Sequence, residues 1–264
     1  MIQTKYTFIS EEAHIALPKQ GKYDYAIESS FPINYSRNIL GSLKREISVK
    51  IQSDENQPYI RLISINVRNT YFRFSDGSYA MKDILKKIAS IYNNLVLRVS
   101  YIGKVMAIDN MLELQEVWNN IKKYVQHRYK GNQVEELILN MDEILSSERK
   151  LIDEISLYQN FGGLLKPLYS EYITDKITSI SQELNTRYGK IIATEEISLQ
   201  SSRNVGEIAL KVKANHPENE EYLTIDGLYS FKRPTDFWLQ NAVISIVEKY
   251  GRQEYQSIYT LKQL

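Results

Sequence analysis

Three histidines and four pairs of neighbouring carboxylates are the residues of this chain with the most direct capacity for chemistry. His14, His127 and His216 lie far apart in the sequence, whereas histidines that bind a metal usually come at matched spacing or with a carboxylate partner. We therefore interpret all three as structural or surface residues. On this basis the sequence predicts no metal site and no cofactor.

The carboxylate pairs could serve as a general acid and base only if both side chains faced one substrate. They are Glu135-Glu136, Asp142-Glu143, Asp153-Glu154 and Glu195-Glu196. Successive residues of a helix point about 100° apart, so adjacent carboxylates more often form a solvated face than a catalytic couple. We assign no catalytic residue from them.

Several classes of active site are excluded or unsupported by motif. The chain has no cysteine, which excludes disulfides, thiolate nucleophiles and cysteine zinc sites. It contains neither of the glycine loops that bind nucleotide phosphates, and no G-x-S-x-G turn of a serine hydrolase. An enzyme whose residues are dispersed through the fold remains an open alternative.

Two clusters interleave basic and aromatic side chains. Residues 68–74 read Arg-Asn-Thr-Tyr-Phe-Arg-Phe; such a pattern can stack single-stranded bases, but a strand with its aromatics inward explains it equally, and we favour the strand. In the second cluster an exposed aromatic pair would anchor a partner protein, with burial as the alternative. The predicted partner-binding residues are Lys232, Arg233, Phe237 and Trp238.

Strands at both ends of the chain must position these side chains. Residues 1–75 predict an antiparallel meander, because apolar residues alternate with polar ones, as at Ile47, Val49 and Ile51. Residues 190–264 are again β-rich. Within them Asp226-Gly227 predicts one hairpin turn, and residues 250–252 predict another.

The middle of the chain, residues 78–187, predicts helices interrupted by a hairpin at 95–108. A single helix from 133 to about 158 carries a heptad seam in which Glu148 is the polar interruption. A second apolar column widens this stripe, which favours packing inside the molecule over oligomer formation. A further helix is expected around 172–184. The seam residues are Leu137, Met141, Ile144, Leu151 and Ile155.

Together these elements predict an α+β fold. Antiparallel sheet from both chain ends wraps around the central helical segment, with a partly closed barrel as one form of that arrangement. Because no linker separates the parts, we expect one unit over residues 1–264. Two halves split near residue 160 are the alternative.

The composition of the chain limits the classes of partner and the cellular location that we expect. Lysine and arginine total 33 against 32 aspartates and glutamates, a net charge of +1, so no global field attracts nucleic acid. The sequence shows neither a signal peptide nor an apolar run long enough to span a membrane. We expect a cytoplasmic protein, with export by a route without a cleaved signal left open. Abundant Tyr, Ile, Asn and Lys suggest a bacterial or phage source.

Three functions fit these observations. The favoured one is a non-catalytic protein-interaction module: an adaptor, a chaperone, an immunity-type inhibitor or a structural subunit of a larger bacterial or phage assembly. Its partner would be another protein, or a second copy of the chain in a homo-oligomer. The first alternative is a binder of a small apolar ligand or lipid in a cavity between sheet and helices. The second is the enzyme with a dispersed active site.

Overall fold

The computed structural model describes most of the chain. The described residues are 13–15, 17–34, 39–54, 56–74, 79–166, 168, 170–173, 178–186, 189–200, 207–215, 222–232, 238–251 and 253–264.

Strands open and close the chain, with helices between them. The strands are β1 (Ala13–Ile15), β2 (Gly21–Asn34), β3 (Ile39–Ser53), β4 (Ile60–Phe74), β5 (Asn94–Ser100), β6 (Val105–Ile108), β7 (Ser170–Ile173), β8 (Thr178–Thr186), β9 (Gly189–Gln200), β10 (Glu207–Asn215), β11 (Leu223–Lys232), β12 (Trp238–Tyr250) and β13 (Gln253–Gln263). The helices are α1 (Tyr79–Ala89), α2 (Met111–Arg128), α3 (Asn132–Leu145) and α4 (Glu148–Ile155), with a 3-10 turn at Ser90–Asn93. Among the described helices none is both long and apolar enough to cross a membrane.

One antiparallel sheet of 11 strands dominates the molecule. Its order is β6-β5-β4-β3-β2-β13-β12-β11-β10-β9-β8, and β1 pairs with β7 in a separate two-stranded sheet. β2 pairs with β13 in the middle of the large sheet, so strands from the two ends of the chain form one surface. This confirms the predicted α+β fold with antiparallel sheet from both ends. The sheet is open, since β6 and β8 are its two edges, and it does not close into a barrel.

The helices pack against the first half of this sheet, with α1 against β4 and α4 against β6. Alternate residues of the strands are buried, as at Ile47 and Ile65 in the first half and Ile225 in the second, and they share one core cluster with Trp118 and Ile121 of α2. At about 25 cal/mol for each Å² of apolar surface removed from water, this layer is the main favourable term for folding. The long alternating strands therefore determine which side the helices occupy.

The predicted helix from 133 to about 158 is two helices. It breaks between Leu145, the last residue of α3, and Glu148, the first of α4. The polar interruption in the heptad seam thus marks a helix start, where a carboxylate complements the dipole. Glu148 Oε1 also accepts a hydrogen bond of 2.7 Å from the N–H of Ile108, the last residue of edge strand β6. This side chain covers part of a sheet edge.

Two further local predictions are wrong. The segment expected to form a helix around 172–184 contains the strands β7 and β8; the pairing of β8 with β9 outweighs the weak helical pattern. Asp226-Gly227 is no hairpin turn, because β11 runs through it without a break. Gly227 faces inward between Val212 and Ile244. The hairpins predicted at 95–108 and around residues 250–252 are confirmed.

Candidate functional site

A pocket of 450 Å³ lies between the inner face of the sheet at β2–β4 and the helices that cover it. Its volume falls within the range of about 300–1,000 Å³ that is usual for small-molecule sites. Its wall is mainly apolar, and four of its polar residues, Arg45, Glu154, Gln159 and Asn160, are joined by hydrogen bonds. It is lined by Phe31, Pro32, Ser42, Leu43, Arg45, Phe72, Phe74, Leu85, Ile88, Ala89, Tyr92, Met141, Glu154, Gln159 and Asn160.

The apolar wall is a hydrophobic cluster separate from the main core. Leu43, Phe72 and Ala89 are buried in it, and the half-buried Phe31, Phe74 and Leu85 pack around them. The rings of Phe72 and Phe74 stack with their centroids 6.4 Å apart. A second cluster under a sheet that already has one core leaves space between the two, and the pocket occupies that space.

A β-bulge in β4 turns the phenylalanines into this wall. Glu46 pairs with Asn69 and Ile47 with Val67, so Arg68 is an extra residue in β4. The bulge shifts the alternation by one position: Val67 is buried before it, and Phe72 after it. The strand predicted for residues 68–74 is confirmed. Its phenylalanines face inward, whereas Tyr71 and both arginines lie on the outer side.

Arg45 is a buried charged residue in the pocket wall. It belongs to β3, where it takes its place in the inward series between Leu43 and Ile47 and is only 2% exposed. Its guanidinium carbon lies 5.2 Å from the centre of the Phe161 ring, a cation–π contact. Burial lowers the pKa of Arg45 to about 10, while the nearby carboxylate of Glu154 opposes that shift. The guanidinium therefore keeps its charge at neutral pH.

The hydrogen bonds of this guanidinium are long. Its Nη1 donates to the carbonyl of Gln159 at 3.4 Å, and Nη1 and Nη2 donate to Asn160 Oδ1 at 3.5 and 3.4 Å. Among the described residues its Nε–H has no acceptor. Charge-assisted hydrogen bonds usually measure about 2.7–2.9 Å, so Arg45, which lines the pocket, retains unused donor capacity.

Asn160 is held in place by α4. Its Nδ2 donates to the backbone carbonyl of Glu154 at 2.9 Å and to Glu154 Oε1 at 2.8 Å. This fixes which end of the amide faces Arg45, because Oδ1 is left as the acceptor. The interpretation of Asp153-Glu154 as a solvated pair is wrong for Glu154, which is half-buried and lines the pocket.

A second group of buried polar residues lies under the other half of the sheet. Lys166 pairs with Glu195, and their side chains are 1% and 0% exposed. Tyr158 donates to Glu195 Oε1 at 2.7 Å and accepts from Lys166 Nζ at 2.5 Å. Burial lowers the pKa of Lys166 and raises that of Tyr158. The groups satisfy one another and are closed off from solvent, so we interpret them as structural.

The interpretation of Glu195-Glu196 as a solvated pair is therefore wrong for Glu195. The two residues lie on β9, and successive residues of a strand point to opposite faces. Glu196 is exposed, and Glu195 is fully buried.

The predicted partner-binding cluster lies elsewhere. Trp238 begins β12 and is 4% exposed, with its ring stacked on Tyr23 at 5.0 Å between centroids. Lys232 ends β11, and Arg233 and Phe237 lie outside the described residues. Trp238 does not line the pocket, and the role of this cluster in partner binding stays a prediction.

The heptad seam contributes to the interior of the molecule. Met141, Leu151 and Ile155 are buried in the main core, and Leu137 and Ile144 pack against it. Met141 also lines the pocket.

The structure describes two of the three histidines, on different elements. His127 is exposed in the last turn of α2, His14 lies on β1, and His216 falls outside the described residues. No group of three metal-ligating side chains occurs within the described part of the chain.

Sequence reasoning missed Arg45 and Glu195, although both carry the same signal. Each occupies a position at which the alternation of its strand calls for an apolar residue. Arg45 precedes Ile47, Val49 and Ile51 at the same spacing of two, and Glu195 lies between Ala193 and Ile197. A charge on the inward series of a strand must find a partner inside the protein or in a ligand.

A larger groove of 550 Å³ crosses the outer face of β13, β2, β3 and β4. Lys44 and Glu28 in this groove form an ion pair at 2.8 Å, and Glu46 accepts a hydrogen bond from Asn69 at 2.6 Å. The groove lies on the exposed side of the sheet, so we regard the inner pocket as the stronger candidate.

The sequence matches no protein-family model and no curated protein. A solved structure on lipid-protein interactions in lipovitellin is similar at 12% identity and a TM-score of 0.45, over 94% of this chain and 25% of that chain. The chain thus spans about a quarter of that protein. A Bacteroides fragilis protein described as exported, with a YmcC-like fold, is 10% identical, with a TM-score of 0.26, over 96% of this chain and 100% of that chain. At these values neither structure supports a conclusion about function.

Proposed function

We propose that the protein binds a small apolar ligand in the pocket between β2–β4 and the helices. The observation that carries this proposal is the separate hydrophobic cluster, whose phenylalanine and leucine side chains line a 450 Å³ space instead of filling it. Apolar surface facing a pocket gains about 25 cal/mol for each Å² that a ligand removes from water. A single hydrocarbon chain fits such a wall better than a polar metabolite does.

The proposal is tested by native mass spectrometry of the purified protein beside a denatured control. We expect an excess mass of a few hundred daltons on the 30.8 kDa chain, lost on denaturation, because a well-buried hydrocarbon dissociates slowly. Leu85→Trp, which adds bulk on the wall, should abolish the excess mass. The matched control is Leu139→Trp on α3, where the side chain is 67% exposed and away from the pocket.

The result that contradicts this function is a bare chain that also fails to take up 1-decanol. Excess mass that persists in Leu85→Trp would place the ligand elsewhere and would equally count against the pocket.

Protein interaction, the function favoured by the sequence, remains the second proposal. The outer face of α2 and α3 supports it, because Leu112 and Leu139 are 75% and 67% exposed there. The same mass measurement addresses it: a clean multiple of the chain mass would favour a homo-oligomer.

A further inference from the structure

We propose that the ligand carries a carboxylate and that the guanidinium of Arg45 binds it, so that the pocket selects straight-chain monocarboxylic acids. This inference rests on the proposed function, since it names the chemical class of the ligand in the same pocket.

Another buried arginine shows what a structurally satisfied guanidinium looks like in this fold. Arg61, on β4, is also inward and buried, at 7% exposed. Its Nη1 donates to the carbonyls of Pro58 and Ile60 at 2.6 and 3.0 Å, and its Nε donates to that of Pro18 at 3.2 Å. All of these acceptors are backbone carbonyls, as expected of an arginine that only supports loops.

Arg45 differs from Arg61 in two respects. Its hydrogen bonds are 3.4–3.5 Å long, and its Nε–H has no acceptor within the described part of the chain. No ion pair of Arg45 occurs among the described residues, although Glu154 is near enough to influence its pKa. A buried charge in this condition is costly, and an anionic ligand would supply the missing acceptors.

The geometry of the side chain favours a carboxylate. A guanidinium presents a planar fork of donors that matches the two oxygens of a carboxylate, and such pairs are often bidentate. The pocket wall combines two kinds of lining, the hydrogen-bonded pair of Arg45 and Asn160 and the apolar phenylalanine cluster. This distribution suits a molecule with one polar head and one hydrocarbon tail.

The charge balance argues against a doubly charged head group. A phosphate monoester carries about two negative charges at neutral pH and would be repelled by Glu154, which lines the same pocket near Arg45. A monocarboxylate carries a single negative charge, so its repulsion from Glu154 is weaker than that of a phosphate monoester. Glu154 Oε1 already accepts a hydrogen bond from Asn160 Nδ2.

The test compares decanoate with 1-decanol, which have the same hydrocarbon length and differ in the head group. Calorimetric titrations use the full chain after removal of bound material, at concentrations below micelle formation. We expect the wild-type protein to bind decanoate at least about tenfold more tightly than 1-decanol, because hydrogen bonds to charged groups are the stronger ones. In Arg45→Met the two ligands should bind equally.

Arg73→Met is the control variant, since Arg73 is exposed on the outer side of the same sheet; it should keep the full preference for decanoate. Thermal melts establish that each variant is folded, and Arg45→Gln replaces Arg45→Met if the latter does not fold. Equal binding of acid and alcohol by the wild type, or an unchanged preference in a folded Arg45 variant, would overturn the inference. Failure of both ligands to bind would instead refute the proposed function.

Discussion

Lys166 and Glu195 form a buried ion pair, and its net contribution to stability is the difference between two large opposing terms. Desolvation of both charges opposes folding, while their mutual attraction and the hydroxyl of Tyr158 favour it. Removing one partner leaves the other charged and enclosed. Removing both eliminates the penalty together with the attraction.

We therefore expect Lys166→Met to lower the free energy of unfolding by about 3–5 kcal/mol. The double variant Lys166→Met, Glu195→Leu should recover most of that loss. Urea unfolding of the three proteins measures the difference. The exposed pair of Lys211 and Asp226, at 3.5 Å, provides the control, because Lys211→Met should cost no more than about 1 kcal/mol. A double variant as unstable as Lys166→Met would contradict this account.

At the scale of single residues, the buried charges were predictable in position but not in partner. Arg45, Arg61, Glu195 and Glu248 all lie on the inward series of their strands, and a period of two is visible in the sequence. For Arg45, Arg61 and Glu195, a residue that the charged side chain contacts lies on a strand or loop that is distant along the chain. Lys166 reaches Glu195 across 29 positions and Arg45 reaches Asn160 across 115, and spacing alone does not encode such pairings.

At the scale of elements, Gly227 illustrates how a turn signal can be overruled. Asp-Gly is typical of a tight hairpin, in which glycine supplies a positive φ. Here β11 continues on both sides, paired with β10 and β12 along its length. The two neighbouring strands provide hydrogen bonds that a hairpin at this point would lose.

Substitution of Gly227 by alanine distinguishes a continuous strand β11 from a hairpin turn at Asp226-Gly227. A Cβ on Gly227 would lie 3.4 Å from Val212 Cβ and 3.5 Å from Ile244 Cγ1, which is ordinary contact. We expect Gly227→Ala to be neutral or to stabilise the protein by about 0.5–1 kcal/mol, because glycine is entropically unfavourable within a strand. Gly251, with φ +58 in the confirmed hairpin, is the matched control, and Gly251→Ala should destabilise by about 1 kcal/mol. Thermal unfolding of both variants measures these changes in stability. A marked loss of stability in Gly227→Ala would contradict the continuous strand and favour a hairpin turn at this position.

The strands themselves were the most predictable elements, because one-sided alternation over many residues is typical of a strand with one buried face. Ile47, Val49 and Ile51 face the core as their spacing indicates. The bulge at Arg68 was not predictable, since it depends on how β4 registers with β3. Without the bulge the inward series of β4 would continue through Tyr71 and Arg73, and the aromatic wall would not form.

At the scale of the whole molecule, the buried tyrosines couple folding to alkaline pH. Burial raises the pKa values of Tyr92, Tyr158 and Tyr229 above 10.0, the usual value for a tyrosine. The folded protein therefore keeps these phenolic protons at a pH where the unfolded chain releases them. The stability they contribute is present below pH 10 and is lost as the pH rises above it.

We expect the free energy of unfolding to fall above about pH 10, by about 1.4 kcal/mol per pH unit for each such tyrosine. In Tyr229→Phe the slope should be smaller by the share of one tyrosine. Tyr59→Phe, at a side chain that is 71% exposed, should leave the slope unchanged. Urea unfolding at several pH values, with tyrosinate absorbance followed in parallel, measures both. Equal slopes in the wild type and Tyr229→Phe would show that Tyr229 ionises in the folded state.

The sequence predicted that strands from both chain ends join one antiparallel sheet. Strands at both ends with helices between them are compatible with few folds. Its openness was not predictable, since closure depends on whether β6 and β8 meet. The sequence predicted the pocket only in general terms, as a cavity between sheet and helices in one of the alternative functions. Its location follows from Phe72, Ala89 and Arg45 on separate elements, and their proximity emerges only in the folded chain.

The pairing of β2 with β13 also constrains how the molecule forms. It joins Ile27 to Leu261, whereas β2–β4 and β10–β13 each form from neighbouring hairpins. Contacts between distant residues require closure of a long loop and slow the search for the native state. The two meanders can therefore assemble first and independently, with the β2–β13 pairing as the late step. Until that step, β2 and β13 are additional unpaired edge strands, and this transient species is the one most exposed to aggregation.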